Sequence, residues 1–413
     1  DGEPMKEPKR PVLAHGKVRH VGDAYAAVVA ETKEQAMDAA AAVEVDIEEL
    51  DAVTDMTSAI AGGGLVHDEI ETNICFDWGW IEDNRAATDA AIKAAPHVTT
   101  LELVNNRLVP NAMEPRASTA DYNKGTGEYT LYTTSQNPHL TRLLISAFVL
   151  GIPENKLRVV APDVGGGFGS KIYHYGEEAL VLAASKKLKR PVKWTSSRSE
   201  AFLTDAHGRD HVTKIELACE KDGTFIAFRT ETLANVGAYL SNFSTVTPTF
   251  LHGTLMAGNY TVPNVYVNVK AVFTNTAPVD AYRGAGRPEA TYSIERVVDM
   301  AARELGMDPI KIRRKNFIKP DQFPFASAAG LEYDSGNYDR QMDKLEVMID
   351  RDGFSARRAE SEKKGMLRGL GLNAYVEACG IAPSNLIGIL GARVGLYDAA
   401  TVRVNATGNL AVM

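Results

Sequence analysis

A chain of 413 residues with 45% hydrophobic and 24% charged side chains is globular and too long for one compact core, so two or three domains are expected. Its formal net charge of −8 argues against a nucleic-acid partner, which would want a basic stripe. The three cysteines, Cys75, Cys219 and Cys379, form no Cys-x-x-Cys pair, which excludes an iron–sulfur or structural zinc site of the chain's own and any disulfide framework.

Buried free thiols in a reducing, cytoplasmic compartment are the expectation. No run of roughly 18 apolar residues occurs, so no membrane span is expected. Asp1 is an unusual first residue, and the expectation is a fragment of a longer chain.

In chain order, Val18–Val21 and Ala26–Ala30 read as short strands. Thr32 and Gln35 make a capping box that opens an alanine-rich helix to about Val43, and Val45–Leu50 returns as a strand. The run 61–64, Ala-Gly-Gly-Gly, reads as a linker. Leu131–Thr134 is strand-like; Asn137 then caps, and Pro138 begins, a helix with an apolar stripe of Leu140, Leu143, Leu144, Ala147 and Phe148 until Gly151. Leu157–Pro162 is a strand ending in a glycine loop, Tyr175–Lys187 a helix and Val192–Ser196 a strand. Lys214–Glu220 and Phe225–Leu233 flank Lys221-Asp222-Gly223, a hairpin signal. Pro288 opens an amphipathic helix through Leu305, and two helices follow near Tyr338–Ile349 and Phe354–Lys364. Ala392–Tyr397, Thr401–Val404 and Leu410–Met413 are strand-like, so the chain is expected to stop within a strand. Strands alternating with helices, plus hairpins, predict an α+β fold.

Three short stretches carry potential chemistry. In 164–171, Gly165, Gly166 and Gly167 precede Phe168 and Gly169 between a strand and a helix. Bare backbone there lets N–H groups approach an oxyanion, or simply makes a tight turn. The stretch misses the dinucleotide fingerprint, because Ser170 stands where the third Gly is needed, and it misses the P-loop as well. Gln136, at a strand end before a helix, can offer an amide N–H to a ligand oxygen or hydrogen-bond its own loop. Arg283, in 281–287 with Gly284 and Gly286, suits an anionic oxygen or a surface salt bridge. His207 and His211 are four apart, but Gly208 breaks helix propensity between them and no further ligand motif supports a zinc site. Glu114, Glu289 and Glu377 carry no pattern that ranks them, and no serine-triad signature is present.

The order and spacing of these three loops resemble the large, molybdenum-binding subunit of the xanthine dehydrogenase and aerobic carbon monoxide dehydrogenase family. Val12–Val53 is similar to that family's α/β hammerhead domain. Residues 111–116, with Met113, Glu114, Pro115 and Arg116, resemble its Met-Glu-Pro-Arg element. Pro191–Trp194 with Arg198, Glu200, Arg209 and Asp210 looks like the segment after its glycine loop, and Tyr375–Ala378 like the start of its second cofactor domain. The division implied is 1–60 for the end of a hammerhead domain, 61–320 for a first molybdenum-cofactor-binding domain and 321–413 for the truncated start of a second.

The resemblance implies roles. Gln136 would hydrogen-bond an oxo group, Gly166, Gly167, Phe168 and Gly169 would lie against the cofactor with Phe168 walling the metal site, Arg283 would line the substrate pocket, and Arg283 and Gly284 would also contact the cofactor. No protein side chain would bind molybdenum directly, since the pterin dithiolene holds it. A molybdopterin cytosine dinucleotide is implied. So are 2Fe–2S clusters on an iron–sulfur small subunit and FAD on a medium subunit, in a dimer of heterotrimers. The family's catalytic Glu is expected beyond Met413. The implied activity is oxidation of an aldehyde or N-heterocycle by a water-derived oxygen. Purine-oxidising, 4-hydroxybenzoyl-CoA-reductase-like and metal-free scaffold relatives stay open. By the resemblance, Gly284 falls where true carbon monoxide dehydrogenases carry a copper-bridging Cys. Without a thiolate there is no soft ligand for Cu(I), so carbon monoxide is not the expected substrate.

Overall fold

A computed structural model describes residues 4–380, 384, 388 and 399–412 of the chain. It divides into two compact units, Asp1–Tyr375 and Val376–Met413.

The first helix, α1 (Lys33–Ala41), has the capping box that the sequence announces, Thr32 with Gln35. The flanking strands do not form: no ladder includes 18–21, 26–30 or 45–50. A strand exists only by pairing, and Val21, Val29 and Ile47 are instead exposed, with Val21-Gly22 in a turn. A short helix that the sequence reading overlooks follows, α2 (Met56–Ile60), capped by Asp55. The glycine run after it is no free linker. Asn73 donates to the carbonyls of Ala59 and Gly64 at 3.1 and 2.6 Å and accepts from Val66 N–H at 2.9 Å.

The remaining elements of the first unit are β1 (Ile74–Trp80), α3 (Arg85–Ala94), β2 (His97–Asn105), β3 (Ala117–Asn123), β4 (Glu128–Thr133), α4 (Pro138–Leu144), β5 (Leu157–Val160), α5 (Gly176–Leu188), β6 (Val192–Thr195), α6 (Arg198–Thr204), β7 (His211–Cys219), β8 (Phe225–Gly237), α7 (Phe250–Gly253), β9 (Asn264–Phe273), α8 (Arg287–Glu304), α9 (Pro309–Asn316), β10 (Phe325–Ala326), β11 (Glu332–Tyr333), α10 (Tyr338–Met348) and α11 (Phe354–Lys363). They build a mixed five-stranded sheet ordered β1-β9-β8-β7-β2 and a four-stranded sheet ordered β5-β4-β3-β6. The architecture is α+β.

The β7–β8 hairpin turns where expected: Gly223 takes φ +83°, and Asp222 accepts from Thr224 N–H at 3.1 Å. Leu131, Ile145, Leu157 and Leu182 join strands β4 and β5 to α5 in one apolar cluster. The stripe foreseen after Pro138 is displaced. α4 runs into a π-helical turn, Ile145–Leu150, whose wider pitch rotates the register. Thr141, Ile145 and Ser146 become the buried face and Phe148 is 78% exposed. Asn137 sits at the N-cap, but its side chain makes no cap hydrogen bond.

In the second unit, β12 (Val402–Val404) and β13 (Leu410–Val412) pair antiparallel; the strand foreseen at 392–397 lies outside the described residues. Two thiols are buried as expected, but Cys379 is exposed. Burial pushes the Cys75 and Cys219 thiols up to about 12, so neither forms appreciable thiolate near neutrality. Iodoacetamide at pH 8 is therefore expected to alkylate one cysteine quickly, and peptide mapping should find the label on Cys379 with Cys75 and Cys219 protected until the chain is unfolded. Leu182→Ala, in the fully buried apolar cluster, should destabilise the first unit by about 2–5 kcal/mol, read as a lower unfolding midpoint in urea.

Candidate active site

Strands β4 and β5 are parallel neighbours, with Tyr132 opposite Val160. The chain leaves both at the same end of the sheet, the edge where α/β topologies place ligands. Gln136 follows β4 and the glycine loop follows β5, so local sequence order becomes spatial proximity. The Gln136 side-chain oxygen accepts from the backbone N–H of Gly169 at 2.9 Å and of Lys171 at 3.3 Å. The Gln136 N–H in turn donates to the Lys171 carbonyl at 2.9 Å. Two N–H donors on one amide atom identify it as the oxygen, which turns Nε2 away from the loop. That nitrogen makes no hydrogen bond to another described residue. The two roles open in the sequence thus divide between the two ends of one amide: the oxygen binds the loop, and the nitrogen is free to donate outward.

The glycine loop is shaped by what touches it. A Cβ on Gly167 would overlap the Gln136 amide, and one on Gly169, at φ +114°, would overlap the carbonyl of Ala281. Phe168 itself sits in the left-handed region at φ 54°, at a cost of about 1–2 kcal/mol for a residue with a side chain. Glu114 fastens one flank, accepting from Gly165 N–H at 2.5 Å and from the Lys171 ammonium at 3.1 Å. Burial lowers the Lys171 pKa, and Glu114 pulls the other way. Arg198 secures the segment before Glu114, donating to the carbonyls of Ala112 and Met113 at 2.6 and 2.8 Å. Arg116 lies 3.4 Å over the Tyr175 ring and donates to Asp205 at 2.6 Å.

The arginine loop closes the group. Arg283 N–H donates to the Phe168 carbonyl at 3.0 Å, and its guanidinium stands 4.7 Å from the centre of the Phe168 ring. It forms no ion pair with a described residue, so the surface salt bridge is not the arrangement adopted. Gly284 takes φ +88°, and a Cβ there would run into the Pro288 ring; Ala285 beside it has φ 40°. Gln136, Gly166, Gly167, Phe168, Gly169, Arg283 and Gly284 therefore form one contiguous cluster.

The histidine pair is not a metal site. His211 is the first residue of β7, and His207 bridges to Val279, so they share no helix. His207 contacts Arg107 and the Phe202 carbonyl, both at 3.1 Å. His211 instead faces His252, ring centres 5.7 Å apart, and burial holds His252 down to about 4. No group of three metal-ligating side chains exists among the described residues.

Sequence reasoning missed Lys171 and could not rank Glu114 or Glu289. The signal for Lys171 and Glu289 is burial of a charge beside a loop, and for Glu114 its pairing with Lys171, neither of which spacing alone reveals. Glu289 is 1% exposed, and burial raises its pKa against the opposing pull of Arg209. Because Gly169 abuts Ala281, Gly169→Ala should push the glycine and arginine loops apart. A melting temperature lower by several degrees is expected, with heavier loss of amide protection in 281–287 than in β7.

Comparison with known proteins identifies the family. Residues 66–317 match the molybdopterin cofactor-binding domain family, and residues 2–51 match the aldehyde oxidase and xanthine dehydrogenase a/b hammerhead domain. The carbon monoxide dehydrogenase large chain of Hydrogenophaga pseudoflava is 36% identical over 96% of this chain and 51% of its own length. The nicotine 6-hydroxylase large subunit of Paenarthrobacter nicotinovorans is 32% identical over 97% of this chain and 49% of its own. The crystal structure of quinoline 2-oxidoreductase from Pseudomonas putida 86 superposes with a TM-score of 0.92 at 32% identity, covering 100% of this chain and 52% of that one. The chain thus spans about half the length of these relatives. It belongs to the molybdopterin-binding large-subunit family of the molybdenum hydroxylases.

Proposed function

We propose that this chain forms part of the cofactor-facing wall of a molybdenum hydroxylase that oxidises an aldehyde or an N-heterocycle at an electrophilic carbon. The observation that carries the reading is one cluster holding an outward amide nitrogen (Gln136), a ribbon with no room for side chains (Gly167, Gly169) and a guanidinium with no ion-pair partner among the described residues (Arg283). That set fits an oxygen-rich cofactor: the glycine backbone would lie against it, and Gln136 Nε2 would donate to one of its oxygens. When bound, the molybdenum cofactor would supply two-electron redox chemistry.

This chain's own residues would do the rest. The exposed Phe168 ring would wall the reacting centre and exclude water. Arg283, held over that ring, would stabilise negative charge developing on the substrate in a site poor in water. Carbon monoxide is disfavoured as substrate, because Gly284 offers no soft ligand for copper.

The cofactor form best matching the resemblance is the molybdopterin cytosine dinucleotide. The scattered cysteines leave electron exit to 2Fe–2S and FAD groups on small and medium partner subunits, arranged as a dimer of heterotrimers in the cytoplasm. The division at 1–60, 61–320 and 321–413 is proposed alongside.

Elemental analysis of the intact native complex should find about one molybdenum per large subunit. A dye-coupled panel should show turnover of an aldehyde or N-heterocycle and none of carbon monoxide. Gln136→Ala and Arg283→Gln should each lower kcat by about 10²–10³-fold with metal content retained. Molybdenum no higher than trace in the native complex would sink the reading.

A further inference from the structure

Arg209 and Asp210 are consecutive residues that carry side chains yet lie in the left-handed region, at φ 66° and 68°. Each such residue costs about 1–3 kcal/mol and persists where its surroundings over-determine it. The surroundings here are explicit. Asp210 faces one way, accepting from Arg107 at 2.8 Å and from Asn235 at 3.0 Å. Arg209 faces the other way, into the base of the arginine loop. It donates to the carbonyls of Tyr282 at 3.1 Å and Arg283 at 2.7 Å, and its guanidinium stands 4.8 Å from the centre of the Tyr282 ring. Glu289, on the first turn of α8, grips Arg209 at 2.9 Å. Both side chains are buried, 8% and 1% exposed, and the second Glu289 oxygen has no hydrogen-bond partner among the described residues.

The geometry points to Arg209 and Glu289 as positioning residues for Arg283, a buried clamp that fixes the loop backbone so that the Arg283 guanidinium stays over Phe168. The chemistry specifies the residue types. One planar guanidinium reaches two successive carbonyls and a carboxylate at the same time, which a lysine ammonium at that depth cannot do. The two carbonyls belong to the peptide units on either side of the Arg283 Cα, so holding them sets where that side chain starts. Glu289 sits on α8, anchored to the two strands that the helix packs against, β2 and β7. Through it the loop is referenced to the larger sheet rather than left to its own flexible glycines. Arg209 and Glu289 would touch neither substrate nor cofactor; their effect passes through Arg283. The catalytic consequence rests on the function proposed above, whereas the mechanical one does not.

The test uses the intact protein with Arg209→Lys, Glu289→Gln and the double variant. Hydrogen exchange by mass spectrometry on the metal-free and the native protein reads the clamp directly. Arg209→Lys should speed exchange in a peptide covering 281–287 by about tenfold, the loss of one buried charged hydrogen bond. Peptides from β3 and β4 should be unchanged. In the native complex kcat should fall at least as much while KM and molybdenum content hold. The double variant should be no worse than Arg209→Lys alone, because both act on one loop. Should Arg209→Lys fail to accumulate, Glu289→Gln gives the same readings at smaller amplitude. Unchanged exchange at 281–287, or equal acceleration across the whole chain, overturns the clamp. Absence of molybdenum from the parent complex would instead overturn the functional reading and leave the exchange result standing.

Discussion

The candidate site depends on one close approach: the backbone of Gly169 lies against the carbonyl of Ala281 with no room for a methyl group. Two loops that are more than a hundred residues apart in sequence touch there. The Gln136 oxygen and the Phe168 carbonyl take up the backbone N–H groups of Gly169, Lys171 and Arg283 around that contact. Hydrogen bonds of this kind contribute about 1 kcal/mol each, and their larger value is geometric. They leave one amide nitrogen and one guanidinium without an acceptor among the described residues.

Buried charge surrounds the loops and sets their shape. Lys171 with Glu114, Arg116 with Asp205, and Arg209 with Glu289 each pair a buried cation with a carboxylate, the first and last of them holding a loop amide or carbonyl. Such pairs are weak evidence for stability, since desolvation offsets most of their attraction. They are better understood as fixing one loop conformation among several of similar energy. The left-handed residues Phe168, Arg209, Asp210 and Ala285 cluster in the same place, as expected where backbone strain is traded for geometry.

Local chemistry was legible in the sequence. The Thr32 capping box, the Gly223 hairpin, the helix after Pro288 and the three loops are each written within a few residues, and each has a mechanism that acts at that range. The loops' meeting was legible only through resemblance, because nothing in the spacing of residues 136, 168 and 283 says that β4 and β5 run parallel or that Gly169 will meet Ala281. The strands foreseen before Val53 fail for the complementary reason: a suitable pattern does not supply a pairing partner. The stripe after Pro138 fails because period 3.6 was assumed where a π turn intervenes. Arg209 and Glu289 escaped because a charge's burial is decided by its distant neighbours.

Gly284 shows how a turn can restrict what chemistry a scaffold will accept. Its left-handed backbone and the Pro288 ring behind it together strain any β-carbon placed there. Any side chain placed at 284 would press on that ring, so the entry into α8 would have to shift with it. The residue that this loop accepts at 284 is thus tied to the way a helix begins.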